Sequence, residues 1–445
     1  MPIQAYIKEV LSHIRSKEAR GFVKLELENH LQAAKADAIK KGKAEDEAEA
    51  IAIKQMGDST LLGQKMNRLH KPKIDWFTVA GFAVLIGFSM LPLIYLQDSY
   101  QMDLVMRKTI FSIMGIVILL ACMFFDYRKF LKFGYGFYGI GIIFLLVLNF
   151  SPFSLMINGR PFLHIATFTI EASSTLPIFL LAWAGILSKI RRDIWLKIGL
   201  EVPGTEKSVR VNLSHSWWKL VLLYVLSVLL LLPAANLFLV LLYTVLIVVI
   251  TWFSPLQKRE KYLFTGMIGS LAVVSAVFTA MKKPYMLVRF KAFLNPDEYT
   301  HTYGYLGTKA KEYMGNAGWF GQALPKEGFK ISEAHTDFIF VTTTYGFGWL
   351  LAGILVLLLV GLSVRMILNL KSFHDPYGKL LTVGAVTLYT LSFSWSILMS
   401  IGVLPFVGVS LPFFSYGLMP TVLHSFLIGI VLSVYRRKDL ISLIN

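Results

Sequence analysis

Ten mostly apolar stretches follow one another after Trp76, each long enough or nearly long enough to cross about 30 Å of hydrocarbon. They lie near 76–96, 109–125, 133–150, 174–188, 218–233, 235–254, 263–281, 338–364, 380–403 and 419–435. A bilayer offers no partner to backbone N–H and C=O groups, so runs of this length fold as helices that satisfy them internally. The expected fold class is all-α: a polytopic membrane protein with about ten transmembrane helices, preceded by a small helical domain. Of 445 residues, 55% are hydrophobic, which rules out an ordinary soluble protein. The one cysteine, Cys122, lies in an apolar run and excludes an internal disulfide or a cysteine metal site.

The composition changes near Lys71-Pro72. Residues 1–72 are expected to be a cytoplasmic helical domain, and 75–440 the membrane domain. In the first, Ile7, Val10, Leu11 and Ile14 share one helical face and Phe22, Leu25, Leu27 and Leu31 another. "KAEDEAEAIAIKQMGD" carries acids in its first turn and Gly57 past its last, as the helix dipole and C-cap favour. These early residues are highly charged, so no signal peptide is expected. Their pattern resembles the permease prefix domain found before some bacterial membrane proteins. It holds no cluster that suggests chemistry, so regulation or docking is expected.

Orientation follows from the short loops. "DYRKFLK", "QKREK", "RMILNLK" and "YRRKDL" are basic and fall on one side, which places both termini in the cytoplasm of a plasma membrane. The net charge of +17 therefore points to anionic membrane lipids, not to nucleic acid. The long loop 282–337 is basic too, yet falls on the outer side. Attraction to headgroups explains that, and so does a pocket for an anion such as a pyrophosphate.

Several residues stand out for chemistry. Asp337 sits where a polar segment turns into the eighth span; such a group is either a helix N-cap or a general base whose pKa burial raises. Arg289, Lys291 and Tyr305 belong to the same basic, glycine- and aromatic-rich loop. Arg160 is the strong charge of the loop between spans three and four; it and Glu171, near the start of the next span, either contact a substrate or pair with each other. Between spans nine and ten, "SIGVLPFVGVSLPFFSYGLMP" has too many Pro and Gly for a helix; it lines a cavity or is a structural re-entrant loop, with Ser415 and Tyr416 as its polar groups. His424, within span ten, is expected to be hydrogen-bonded inside the bundle and is left out of the site.

"RF..FLNP" at 289–296, "GY" at 304–305, "TDFIF" at 336–340 and "LPFVGVSLPFFSYG" at 404–417 together resemble the SEDS family (shape, elongation, division and sporulation), which contains FtsW, RodA and SpoVE. The resemblance implies a peptidoglycan glycosyltransferase that polymerises glycan from lipid II, an undecaprenyl-pyrophosphate precursor, at the outer membrane face. A class B penicillin-binding protein is the implied partner. Asp337 matches the family's essential Asp and would take the proton of the acceptor sugar hydroxyl, with Arg289 and its basic neighbours on the leaving pyrophosphate. No cofactor is fixed, and the resemblance leaves room for a divalent cation at Asp337. The chain departs from the family where acids are usual: Tyr345-Gly346 follow "TDFIF", and Ala234 stands in "PAAN". "EASSTLP" lacks the family's Lys before span four, and Leu418, Met419 and Pro420 replace glycines and serines after "SYG". Two further readings follow: a non-catalytic scaffold that binds a penicillin-binding protein or lipid II, favoured by the lost acids, and a flippase for the lipid-linked precursor, disfavoured by spans nearly free of charge.

Overall fold

The computed structural model describes residues 2–100, 103–157, 160–165, 168–198, 217–233, 237–282, 284–299, 304–324, 329 and 331–440. The chain divides into two units. The "PAAN" turn, Tyr303, Lys326 and Lys330 fall wholly or mostly outside the described residues.

One unit takes in Met1–Asp75 together with Ser372–Asp375 and Val434–Asn445. Its first four helices are α1 (Ile3–Ser12), α2 (Lys17–Lys40), α3 (Glu45–Met56) and α4 (Ser59–Leu69). Caps set two of the starts. The Ser16 hydroxyl accepts from the Ala19 amide, and the Asp58 carboxylate from the Leu61 amide at 2.8 Å. That bond holds the Asp58 carboxyl below its ordinary value. Tyr6, Ile7, Val10 and Ile14 of the first segment pack on Ala19, Val23, Leu27 and Leu31. The second stripe differs from the expected one: it steps every four residues from Ala19, and Leu25 is 55% exposed. The C-terminal end of the chain joins this unit, with the Lys73 ammonium 2.8 Å from the Asp439 carboxylate.

The other unit takes in Trp76–Lys371 and Pro376–Ser433. Its helices are α5 (Trp76–Phe88), α6 (Leu91–Leu96), α7 (Leu104–Phe124), α8 (Gly134–Phe150), α9 (Leu176–Ile198), α10 (Trp217–Leu231), α11 (Leu237–Phe253), α12 (Lys258–Lys282), α13 (Pro284–Leu294), α14 (Tyr305–Gly315), α15 (Ile339–Asn369), α16 (Pro376–Ser400) and α17 (Leu418–Arg436). Among the described residues, eight segments are long and apolar enough to cross a membrane. Two shorter apolar helices, α10 and α11, occupy the fifth and sixth expected stretches. The protein is a multi-pass, all-α membrane protein. Close approach and buried hydrogen bonds join the helices. The backbones of α8 and α9 meet at Gly134 and Gly185, and the Trp183 indole donates to the Tyr243 hydroxyl at 2.9 Å.

Two features differ from the sequence reading. First, α7 begins at Leu104, not near 109, because the Asp103 carboxylate accepts from the Met106 amide at 2.9 Å and caps the helix there. Lys108, read as loop, therefore lies inside the helix and is fully buried. Second, the loop before α9 holds a three-stranded antiparallel meander, β1 (Ser154–Ile157), β2 (Arg160–Ile165) and β3 (Phe168–Glu171). Leu163 pairs with Ser154 on one side and Ile170 on the other.

Candidate functional site

Asp337 ends a tight turn that runs directly into α15. The turn is made by Glu333, whose backbone is left-handed at φ 61° and whose carbonyl accepts from the amides of Thr336 and Phe338, each at 3.1 Å. Such a conformation is costly for a residue with a Cβ and persists where the surroundings enforce it. The Glu333 carboxylate adds a bond from the Thr336 hydroxyl at 2.6 Å. At the far side Thr342 donates to the Ala334 carbonyl at 2.8 Å, tying the first turn of α15 back onto the loop. Asp337 itself is half-buried and has interactions within the protein.

The irregular segment 401–417 clasps this turn. The Ser415 hydroxyl donates to the Thr336 carbonyl and accepts from the Leu411 amide, both at 2.8 Å. The Tyr416 amide donates to the His335 carbonyl at 2.8 Å. Ser415 and Tyr416, picked out as polar groups of a cavity wall, thus hold the peptide units on the N-terminal side of Asp337. The His335 ring lies against both Tyr416 and Tyr100, with Nδ1 3.1 Å from the Tyr100 hydroxyl. Burial pushes the His335 imidazole below its ordinary value, opposed by the nearby Glu333 carboxylate.

Lys108 is the residue that sequence reading missed. Its ammonium donates to the Phe413 carbonyl and, at 2.9 Å, to the Ser415 carbonyl. Phe413 is also left-handed, at φ 66°, with its ring edge-on to Phe82. A buried lysine amine therefore holds the clasp through two backbone carbonyls. The stretch "DLVMRK" shows an Asp that can cap and so the helix start, but not the distant carbonyls that admit the Lys.

A cavity of about 160 Å³ opens one peptide unit from Asp337. Phe338 forms part of its wall and stacks on Phe406 at 4.9 Å between ring centres. The charges on its wall are Arg289 of α13 and Lys311 of α14. Lys291, expected beside Arg289, is exposed and does not line it. Tyr305 is also not a wall residue, although Gly304 and Leu306 on either side are. Arg160 sits on β2 opposite Ile157, away from these elements in sequence, and its side chain is outside the described residues. Glu171 accepts from the Ser173 hydroxyl. Among the described residues, no group of three His, Cys, Asp or Glu could hold a metal ion.

Beyond the first two turns of α15 the helix breaks. Gly348 has φ 84°, and the glycine-rich stretch 318–322 docks there backbone to backbone. The Gln322 amide donates to the Tyr345 carbonyl at 2.8 Å, Trp349 to Gly318 at 3.1 Å and Leu350 to Trp319 at 3.2 Å. A Cβ on Gly321 or Gly348 would overlap the opposing backbone. Tyr345 packs among Tyr313 and Phe329, and Gly346 faces the Tyr95 ring.

The family model FTSW_RODA_SPOVE, described as cell cycle protein, matches residues 71–440. The chain belongs to the FtsW/RodA/SpoVE family. A probable peptidoglycan glycosyltransferase FtsW of Geobacter sulfurreducens is 25% identical over 339 residues, covering 74% of this chain and 85% of the relative. An FtsW of Trichlorobacter lovleyi is 29% identical but spans 37% of this chain and 44% of its own length. Stage V sporulation protein E of Bacillus subtilis is 29% identical over 182 residues, covering 40% of this chain and 49% of its own. Among solved structures, a chain from a peptidoglycan synthase complex that coordinates polymerization and crosslinking superposes with TM-score 0.64 at 20% identity, over 82% of this chain and 98% of that one. Rod shape determining protein RodA of Thermus thermophilus gives 0.56 at 18% identity, over 82% and 97%. The two solved structures share this chain's fold, and the family assignment rests on the match over residues 71–440.

Proposed function

We propose that this protein polymerises glycan strands from a lipid-linked disaccharide pyrophosphate, lipid II, at the outer face of the plasma membrane. The observation that carries the reading is the placement of Asp337: a carboxylate on an enforced turn, one peptide unit from a cavity whose charges are Arg289 and Lys311. Asp337 takes the proton of the acceptor sugar hydroxyl as that oxygen bonds to the donor's anomeric carbon. The bond from that carbon to the pyrophosphate oxygen breaks, and the cationic wall stabilises the charge that develops on the leaving group. The names of the relatives, probable peptidoglycan glycosyltransferases, support this reaction class. A class B penicillin-binding protein is the proposed partner, in keeping with the synthase complex among the structural neighbours.

The second reading, a scaffold that binds lipid II or the partner without polymerising, is favoured by one specific feature. Where relatives carry acids, Tyr345 and Gly346 fill the space with aromatic and backbone packing. The experiment is lipid II polymerisation by the purified full chain with its partner. Asp337→Asn is expected to lower the rate by about 10²–10⁴-fold, the span of a lost general base. Glycan synthesis at the wild-type rate by that variant sinks the assignment. A wild type that captures lipid II or the partner yet makes no glycan establishes the scaffold.

A further inference from the structure

The lipid-facing stripe of α8 is Ile140, Ile143, Val147 and Phe150, exposed side chains that recur every three or four residues. The stripe does not stop with the helix. Phe150 and Phe153 are 74% and 76% exposed, and Leu155 and Met156 on β1 are exposed beside them. Pro152 is exposed too, so most of the surface from Phe150 to Met156 is apolar.

Length decides where this patch sits. The turn before α8, Tyr127–Phe133, carries Arg128, Lys129 and Lys132 and belongs with the headgroups. From Gly134 to Phe150 the helix has 17 residues and rises about 25 Å. The hydrocarbon is about 30 Å thick, so roughly 5 Å is left to cover beyond Phe150. The turn that follows is built to lie there. The Ser151 amide donates to the Val147 carbonyl at 2.9 Å, the Ser154 amide to the Ser151 carbonyl at 3.1 Å, and the Phe153 amide to the Ser151 hydroxyl at 3.2 Å. Pro152 has no N–H, so every amide from Ser151 to Ser154 is satisfied without water. The Ser154 hydroxyl donates to the Ser151 carbonyl at 2.8 Å. The sheet is graded as well. Among its described side chains, the exposed ones are Leu155 and Met156 on β1 but His164 on β2 and Thr169 on β3.

We infer that Phe150–Met156 is a lipid-binding surface: Phe153, Leu155 and Met156 insert among the acyl chains of the leaflet at the C-terminal end of α8. The backbone of β1 lies at headgroup depth, where the open edge of the sheet meets water and lipid polar groups. The occupant is lipid because the patch continues the lipid-facing stripe of α8 and covers the length that helix lacks. The meander is thus inserted in the membrane rather than free in solvent, and it ties the entry into α9 to the bilayer. None of this depends on the reaction the chain performs at Asp337.

The test is spin-label accessibility on the full chain in lipid nanodiscs. Cys122→Ser removes the one native cysteine. In that background Phe153→Cys, Met156→Cys, Val147→Cys and Thr169→Cys each carry a nitroxide. Oxygen concentrates in hydrocarbon, whereas a nickel chelate stays in water. The oxygen-to-nickel accessibility ratio at Phe153→Cys and Met156→Cys is expected to be at least about threefold above that at Thr169→Cys, with Val147→Cys, deeper in the span, higher still. That last ratio also reports that the chain is folded in the bilayer. Ratios at both test sites equal to that at Thr169→Cys overturn the inference, because the patch then lies in water. Shielding from oxygen and nickel alike overturns it too, because a second copy or another protein then covers the patch.

Discussion

The start of α15 and its break at Gly348 lie within one span, yet they are held by opposite means. At the start, side chains carry the contacts. Glu333, Thr336, Thr342 and Ser415 link hydroxyls, a carboxylate and carbonyls around a half-buried Asp337. At the break, glycines let two backbones pair directly, and aromatic rings cover them. The difference teaches where charge is needed. A carboxylate at a membrane boundary persists because a polar frame surrounds it, whereas a broken span is sealed by main-chain pairing alone. Tyr345 and Gly346 at the break are part of that seal.

The largest effect should come from the break. Gly348→Ala forces a Cβ into the Trp319 carbonyl at a left-handed φ and should cost about 4 kcal/mol, near the upper end for single substitutions. Thermal unfolding in detergent measures it; a wild-type melting temperature would mean that main-chain pairing does not seal the span. Next is Lys108→Met, which keeps the volume but leaves the Phe413 and Ser415 carbonyls without their buried donor. About 2–3 kcal/mol should be lost, near the low end of the roughly 1–3 for each of the two unsatisfied carbonyls. Hydrogen exchange should accelerate at the Ser415 and Tyr416 amides while that of α1 and α2 stays unchanged. Exchange at wild-type rates would show that the clasp does not depend on the cation. Ser415→Ala removes two bonds and should cost about 1–2 kcal/mol, with slower glycan synthesis as the Asp337 turn loosens. Slower synthesis without loss of stability would assign the hydroxyl to substrate instead.

The smallest effect is in pH. The His335 imidazole titrates below its ordinary value of 6.5 in the folded chain because it is buried. As pH falls below 6.5, the unfolded chain takes up a proton that the folded one resists, so stability is full above that pH and declines as pH drops through the folded value. His335→Asn should flatten the decline between pH 7.5 and 5. An equally steep slope in the variant would place the titrating group elsewhere.

Hydropathy made the membrane bundle legible, because each span must bury its own backbone and so declares itself locally. Asp337 was legible too, since a carboxylate beside a long apolar run is expensive enough to notice. Lys108 was not. A window average reads Arg107-Lys108 as the end of a span, and only the carbonyls of Phe413 and Ser415, far along the chain, explain how a cation lies inside. The β meander escaped because its strands are only four to six residues long and lie in a loop between two spans, where hydropathy gives no period to read. His424 was legible as a histidine bonded within the bundle, and its Nδ1 is 2.8 Å from the Pro420 carbonyl.

The bond from Gln322 to Tyr345 closes the chain between them into a ring, with Asp337 on its circumference. The ring is locked at its ends by main-chain atoms, and near Asp337 by the carbonyls of His335 and Thr336. A single break elsewhere on the ring would therefore leave Asp337 tethered by its remaining bonds, whereas loss of the Gln322–Tyr345 bond opens the ring itself.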